Sequence, residues 1–386
     1  MLNKILDKIF LLQIFLIIFL GIFNQSEVST QFPLIYNFCY FIQTITTYSL
    51  IIHFIKPKLS YTNWMIWFVL FLVGIIVRFL GGSNYFLTLI LMLNAAKGVE
   101  TKKIIKVGIF ATFVSILLII MLWKLGVFPN SIGYKNEVSG FVSSFGFSSS
   151  SNASASNAPA IALLLIAFCH IYLRNIQWNN FDWLLEIIIF CACWFLFQSR
   201  MPSLILVLLN LVNLFPKMFR LIINSKATKI SLVFIFSLSV PFSIYFMINY
   251  SNTYINIVLN KVLTGRLQMM NYYYHIYGIS IFGEKSFQKI TYIFNPNYQM
   301  ILDNGNGRML IIIGALYFIL FYCILYRLLL NSYKERKDVL FYLLLFIFPV
   351  IVVEGYTFIN PSMNFFLIAM LGNQLNNKNI EEIYER

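Results

Sequence analysis

The chain has 386 residues, of which 60% are hydrophobic and 11% are charged, and its mean hydropathy is +0.79. Soluble globular domains contain about 45–50% apolar and about 25% charged residues, so this composition excludes an ordinary soluble domain. The formal net charge of +14 would favour nucleic-acid binding in a soluble protein, but the basic residues are spread over many short segments. This spread is typical of lysines and arginines sorted into cytoplasmic loops, and we expect no nucleic-acid partner.

Apolar runs long enough to cross a bilayer recur along the chain. A helix of about 20 residues crosses about 30 Å of hydrocarbon, whereas a β-barrel strand alternates apolar and polar residues. Runs such as IFLLQIFLIIFLGIF do not alternate. We therefore predict an all-α, polytopic integral membrane protein with a single transmembrane domain over 1–386. The predicted helices are about 9–23, 33–55, 63–80, 84–97, 105–126, 158–174, 183–199, 202–223, 230–249, 308–327, 339–354 and 357–373.

Basic residues fall in alternate connections between these runs, as the positive-inside rule requires for one leaflet. These connections hold Lys4 and Lys8, Lys56 and Lys58, the segment 97–106, Arg174, the segment 217–229 and the segment 327–337. We predict that they face the cytoplasm together with both termini, including a tail over about 374–386. Two long loops, about 127–157 and about 250–307, then face outward.

The sequence holds no motif for a metal or a nucleotide. All five cysteines lie inside apolar runs, without metal-ligand or CxxC spacing: Cys39, Cys169, Cys191, Cys193 and Cys323. Such cysteines pack as small apolar residues. HExxH, GxSxG and Walker-type segments are absent as well. We expect neither a metal nor another cofactor.

Arginines on the predicted outward side are unusual, because the positive-inside rule concentrates positive charge in cytoplasmic loops. Each of them is therefore a candidate for a specific role. They are Arg200, Arg266 and Arg308, with Arg78 near the outer end of the third predicted helix as a fourth candidate. Arg200 lies in QSRMPS, a short turn between two apolar runs. It either extends its guanidinium group to the lipid headgroups or binds phosphate oxygens in a bidentate manner.

The segment 264–283 is too polar to span the membrane and rich in tyrosine. At about 100° per residue, Arg266, Tyr273 and Tyr277 share one helical face, which suits a phosphate and a sugar. A plain amphipathic anchor on the membrane surface is the alternative. His275 falls on the opposite face, nine residues from Arg266, and stays a candidate general base.

Carboxylates are scarce in the predicted outward segments. Asp303 lies in LDNGNGR before an apolar run, and Glu354 lies in VVEGYTFINPSMN between the last two predicted helices. Because Glu354 follows an apolar run, removal of water would raise the pKa of its carboxyl towards that of a useful base. An interfacial, hydrogen-bonded carboxylate is the alternative. His53 and His170 lie at predicted cytoplasmic helix ends, and we interpret both as structural.

Five outward segments resemble motifs of one known family. They are SFGF (144–147), QSR (198–200), TGR with IFG (264–266 and 281–283), LDNG (302–305) and EGYTFINPSMN (354–364). In this order and at these places they resemble the Wzy-type polysaccharide polymerases of the O-antigen polymerase and ligase superfamily. The resemblance covers about 144–374.

The resemblance implies a GT-C-like membrane glycosyltransferase on the outer leaflet of a bacterial inner or plasma membrane. It would transfer a growing glycan from undecaprenyl diphosphate to the sugar of another lipid-linked repeat unit, without a metal. Developing negative charge on the diphosphate would be stabilised by guanidinium groups. The implied diphosphate ligands are Arg200, Arg266 and Arg308; the catalytic candidates are Glu354, Asp303 and His275; the sugar-binding candidates are Tyr273, Tyr277 and Tyr356.

Two other functions stay open. A ligase of the same superfamily would use a similar donor and a different acceptor, and a flippase would move the lipid-linked glycan between leaflets. A transporter is expected to carry charges inside its spans and to have similar halves, whereas the predicted spans are almost free of charge. The expected partners are the lipid-linked oligosaccharide, the bilayer and a chain-length regulator of the polysaccharide copolymerase type.

Overall fold

The computed structural model describes most of the chain, and for residues 2, 61–64, 132–136, 140–143, 291–292, 295–299 and 353–355 it describes the backbone alone. The described residues are 2–55, 61–129, 132–136, 140–147, 157–175, 178–215, 225–263, 265–286, 291–292, 295–299 and 302–372. Helices account for most of these residues, and two short antiparallel hairpins lie in the segments predicted as long loops. The prediction of an all-α protein therefore holds for the bulk of the chain.

The helices are α1 (Leu2–Phe23), α2 (Val28–Gln31), α3 (Pro33–Ser49), α4 (Tyr61–Gly81), α5 (Tyr85–Ala96), α6 (Thr101–Lys124), α7 (Asn157–Arg174), α8 (Asn180–Cys191), α9 (Arg200–Leu214), α10 (Lys226–Ser237), α11 (Ser239–Asn249), α12 (Tyr254–Val262), α13 (Arg266–Tyr277), α14 (Gly305–Arg308), α15 (Ala315–Lys334), α16 (Asp338–Ile359) and α17 (365–372). A 3-10 helix over Leu50–Ile55 follows α3, and π-helical turns cover Ala192–Leu196 and Met309–Ile313. The strands are β1 (Ile132–Asn136), β2 (Gly140–Ser143), β3 (Thr291–Tyr292) and β4 (Asn295–Gln299).

Six helical segments among the described residues are long and apolar enough to cross a membrane: Asn3–Phe23, Pro33–Ile55, Thr101–Lys124, Asn157–Arg174, Lys226–Asn249 and Ala315–Lys334. Four shorter apolar helices accompany them, over Met65–Gly81, Tyr85–Ala96, Arg200–Leu214 and Asp338–Val352. Large apolar side chains on these helices are exposed, for example Leu34 and Phe79. Lipid solvates such surfaces, whereas water does not. The fold is compatible with a polytopic membrane protein, and the number of twelve spans stays a prediction.

The chain divides into two compact units, each held together by its own internal contacts. Unit 1 consists of Met1–Asn130, Phe145–Ser148 and Asn360–Arg386. Here α1 packs against α3 and α6. The buried side chain of Gln13 donates a hydrogen bond to Ser49 Oγ at 2.8 Å, and its Oε1 lies 2.8 Å from His53 Nε2. These bonds satisfy polar groups inside an apolar bundle and fit the structural role predicted for His53.

Unit 2 consists of Ser131–Ser144 and Ser149–Ile359. Its central element is α16, which contacts α7, α9, α10, α11, α14 and α15. A helix surrounded in this way must be apolar all round, and the sequence VLFYLLLFIFPVIVV over 339–353 meets that condition.

Several predicted helix boundaries differ from the structure, and two of the differences concern a candidate residue. The helix predicted over 308–327 starts at Ala315, because a π-helical turn and Gly314 (φ +117°) interrupt the chain after α14. The break predicted between 354 and 357 lies instead at 360–364, so Glu354 belongs to α16 and not to a loop. Gly355 is accommodated in the helix, whereas Pro361 disfavours a helical residue before it, and Asn360 Oδ1 accepts the amide of Ser362 in a turn.

Candidate functional site

The aromatic helix α13 presents one face to the interior of unit 2. Arg266, Leu267, Met270 and Tyr273 on this face are buried, at the three- and four-residue spacing of a helical stripe. Met270 and Tyr273 belong to an apolar cluster with residues of α11, the residue Leu302 and the π-helical turn. The predicted shared face of Arg266, Tyr273 and Tyr277 is thus confirmed, and protein covers much of it.

Arg266 forms an ion pair with Asp303 at the start of this interior face. Arg266 Nη2 lies 3.4 Å from Asp303 Oδ2, and the side chains are only 10% and 14% exposed. Arg266 Nη1 also donates a hydrogen bond to the carbonyl of Leu263 at 3.4 Å. A guanidinium group with so little access to water needs such partners, because burial of a charge without them is costly.

The short helix α14 follows Asp303 directly and is held by a buried polar cluster. Asn304 caps it, since its Oδ1 accepts the amide of Gly307 at 3.0 Å. The amide group of Asn306 donates to Ser243 Oγ on α11 at 3.1 Å, and the hydroxyl of Tyr322 on α15 donates to Asn306 Oδ1. These contacts fix the backbone that carries Asp303 and Arg308.

A tight backbone crossing joins the IFG segment to the end of the π-helical turn. Ser280 N donates to Leu310 O at 3.2 Å, Glu284 N donates to Ile312 O at 3.0 Å, and Ala315 N donates to Ser280 O at 2.8 Å. A Cβ atom on Gly314 would lie 2.6 Å from Gly283 N, and one on Gly283 would lie 2.6 Å from Ile312 O. Both glycines also have positive φ, at +103° and +117°, so the crossing requires glycine at both positions.

Arg308, the last residue of α14, lies over an aromatic ring. Its guanidinium carbon is 4.6 Å from the centre of the Tyr356 ring, and Arg308 is 7% exposed. A guanidinium group is attracted to the face of such a ring. The structure therefore brings a predicted diphosphate ligand and a predicted sugar-binding tyrosine together.

The contacts described so far join Arg266, Asp303, Arg308 and Tyr356 to one region of unit 2, and they do not include the other candidates. Arg200 is the exposed first residue of α9, after the buried cap residue Ser199. His275 is exposed on the other face of α13, where Asn271 Nδ2 lies 3.3 Å from its Nε2, as its predicted position implies.

Further residues of the predicted outward segments need comment. The side chain of Glu354 lies outside the described residues. Tyr273 is fully buried, so in this conformation its ring is not accessible to a sugar, whereas Tyr277 is half-buried. Glu284 beside the crossing accepts hydrogen bonds from the hydroxyl and the amide of Ser286, which lower the pKa of its carboxyl and make it a weaker base.

Sequence reasoning missed a charged cluster between α7 and α8. His170 Nδ1 lies 2.8 Å from Glu186 Oε1, and His170 Nε2 lies 3.0 Å from Asp182 Oδ1. Arg174 Nε approaches Asp182 Oδ1 at 2.7 Å, and both carboxylates are fully buried. The four-residue spacing of Asp182 and Glu186 at the start of an apolar run was the available signal, because it puts both on one helical face.

Within the part of the chain that the structure describes, no group of three or more His, Cys, Asp or Glu side chains is placed to hold a metal ion. Comparisons with protein-family models, with curated proteins and with solved structures found no match. The family resemblance thus stays a prediction that depends on the motifs quoted above.

Proposed function

We propose that this protein is a polymerase of lipid-diphosphate-linked oligosaccharide repeat units in the outer leaflet of a bacterial plasma or inner membrane. The observation that supports the proposal best is the meeting of three separate motif segments. TGR contributes Arg266, LDNG contributes Asp303, and IFG crosses the backbone that follows LDNG at Gly283 and Gly314. Segments that carry a shared function are expected to converge in this way, although they are separate in the sequence.

The proposal is also supported by two guanidinium groups, those of Arg266 and Arg308, in this part of unit 2. Arg266 and Arg308 are 9% and 7% exposed, and a buried cation interacts with a diphosphate much more strongly than one in water. Such fixed charges stabilise a leaving diphosphate without a metal. Arg200 remains a proposed third ligand on the turn before α9.

In the proposed reaction the bond between the anomeric carbon and the diphosphate oxygen breaks, and its electron pair leaves with the diphosphate. A new bond forms between that carbon and a hydroxyl oxygen of the acceptor sugar. The hydroxyl proton passes to a carboxylate, for which Glu354 and Asp303 are the candidates. Asp303 serves as that base only if its ion pair with Arg266 opens on substrate binding. Tyr356 and Tyr277 would contact the sugars.

The proposal includes the predicted topology of about twelve spans with cytoplasmic termini. Two exposed lysines test it in a cysteine-free variant of the full chain: Lys261, at the end of α12 in the predicted outer loop, and Lys226, at the start of α10. A membrane-impermeant maleimide added to intact cells should label Lys261→Cys and leave Lys226→Cys unlabelled until the membrane is opened. The reverse labelling would put the proposed site on the cytoplasmic side and contradict the proposal.

The direct test is the lipid-linked glycan profile of host cells that carry Arg266→Lys or Arg266→Ala, at matched protein level. Lys261→Ala, which removes an exposed positive charge nearby, is the control. If the protein is a polymerase, we expect the Arg266 variants to lose long polymer and to accumulate single lipid-linked units on the outer leaflet. Accumulation on the inner leaflet would instead assign a flippase, and full-length polymer retained on the lipid diphosphate would assign a ligase.

A further inference from the structure

A cleft of about 500 Å³ lies in unit 2 between α10, α15 and α16. Its walls are almost entirely apolar, with side chains such as Val233 and Phe234 from α10 and Leu329 and Leu330 from α15. The volume falls within the range of about 300–1,000 Å³ that is usual for small-molecule sites. The cleft belongs to neither the arginine region nor the aromatic helix described above.

Positive charge is concentrated at one end of the cleft. Lys226 and Lys229, one helical turn apart on α10, both line it. Lys229 is buried, with its Nζ 2.8 Å from Asp338 Oδ1 and 5.4 Å from the centre of the Tyr333 ring. Lys226 is exposed, so its charge is available at the mouth of the cleft. Two ammonium groups and one carboxylate leave this end positive.

The position of the cleft in the bundle restricts its occupant. Lys226–Asn249 and Ala315–Lys334 are both candidate membrane spans, and the lysines lie where the first begins and the second ends. The neighbouring segment 334–337 adds three basic residues and one acidic residue, KERK. An apolar cleft between two candidate spans, with lysines where one span begins and the other ends, matches a molecule that has a hydrocarbon chain and an anionic head.

We infer that this cleft binds an anionic glycerophospholipid, with one acyl chain between α10 and α15 and the phosphate at Lys226 and Lys229. Under the topology proposed above, the lipid comes from the cytoplasmic leaflet, whose anionic lipids are attracted to basic segments near the membrane. The site is separate in chemistry from the proposed glycan site, which requires a diphosphate and sugars.

Native mass spectrometry of the purified full-length protein tests the inference. Phosphatidylglycerol or phosphatidylcholine is added at equal concentration, and the lipids that stay bound on activation are counted. Wild type should retain phosphatidylglycerol about fivefold better, and Lys226→Gln should abolish most of that preference, because one lysine near a charged lipid contributes a factor of about this size.

A second pair of variants tests the location. Val233→Trp fills the cleft and should reduce retained phosphatidylglycerol to the level of phosphatidylcholine. Ile235→Trp adds the same ring on an exposed position of α10 that does not line the cleft, and should behave as wild type. Equal retention of both lipids by wild type, or equal behaviour of the two tryptophan variants, would overturn the inference. A wild-type dimer that Val233→Trp converts to monomer would assign the cleft to a second copy of the chain.

Discussion

Arg266 and Asp303 lie 37 residues apart in the chain and form an ion pair, with Arg266 Nη2 3.4 Å from Asp303 Oδ2. This pair connects the start of α13 to the residue before the cap of α14. It therefore ties the two motif segments that carry the proposed diphosphate ligands Arg266 and Arg308.

Asp303→Asn tests whether the pair positions Arg266. The substitution keeps the shape of the side chain and removes its charge, so the buried guanidinium group loses its counter-charge, and we expect a loss of about 2 kcal/mol in the free energy of unfolding. Thermal unfolding in detergent measures the loss. Long polymer should also decrease at matched protein level.

The charge-reversed double variant separates stability from activity. Arg266→Asp combined with Asp303→Arg restores an ion pair of opposite direction and should recover part of the lost thermal stability. If Arg266 binds diphosphate, polymer does not return. Recovery of both stability and polymer would leave Arg266 a purely structural role.

Gly314→Ala should destabilise unit 2 by about 3 kcal/mol or more, because the new Cβ meets the backbone of Gly283 at 2.6 Å and φ is +117°. Gly278→Ala is the matched control, since Gly278 also has positive φ (+68°) but nothing within 4 Å of a Cβ. That control should cost about 2 kcal/mol from strain alone, because φ +68° with ψ −164° is a conformation that only glycine adopts readily. Thermal unfolding measures both losses of stability. Equal losses for the two variants would mean that the close backbone contact between Gly314 and Gly283 adds nothing to the destabilisation.

His170→Phe should lower the free energy of unfolding by about 3 kcal/mol or more. The phenyl ring leaves Asp182 and Glu186, both fully buried, without the imidazole that lies within 3.0 Å of each. His275→Gln, at an exposed histidine, should change stability by less than about 0.5 kcal/mol. A small effect of His170→Phe would indicate that the two buried carboxylates do not depend on the imidazole.

Tyr277→Ala tests the proposed sugar contact on α13. Tyr277 is half-buried and stacks on Tyr273 at 6.3 Å between ring centres. If it contacts a sugar, its loss should shorten the polymer several-fold at unchanged protein level, since ring stacking contributes about 1 kcal/mol. Tyr272→Ala removes an exposed ring five residues earlier, on another face of α13, and should leave chain length unchanged. Gel analysis of chain lengths distinguishes the two variants.

The helical, membrane-embedded class could be predicted from the sequence, because the length and apolarity of a spanning helix are local properties. The shared face of Arg266, Tyr273 and Tyr277 was also predictable, since it follows from the helical repeat alone. The residue at which α16 ends was not predicted correctly, because Gly355 and Pro361 are both plausible helix ends in the sequence, and the chain in fact breaks at the proline.

Tertiary structure alone decided which residues meet. Nothing in the spacing of Arg266 and Asp303, or of His170 and Glu186, indicates a contact, because such pairs depend on how separate helices cross. The same holds for burial: Tyr273 and Tyr277 look equivalent in the sequence, yet one is enclosed by α11 and the π-helical turn and the other is half-buried. Composition and periodicity thus determined the membrane class and the faces of the helices, whereas packing of those faces determined the partners of each charge.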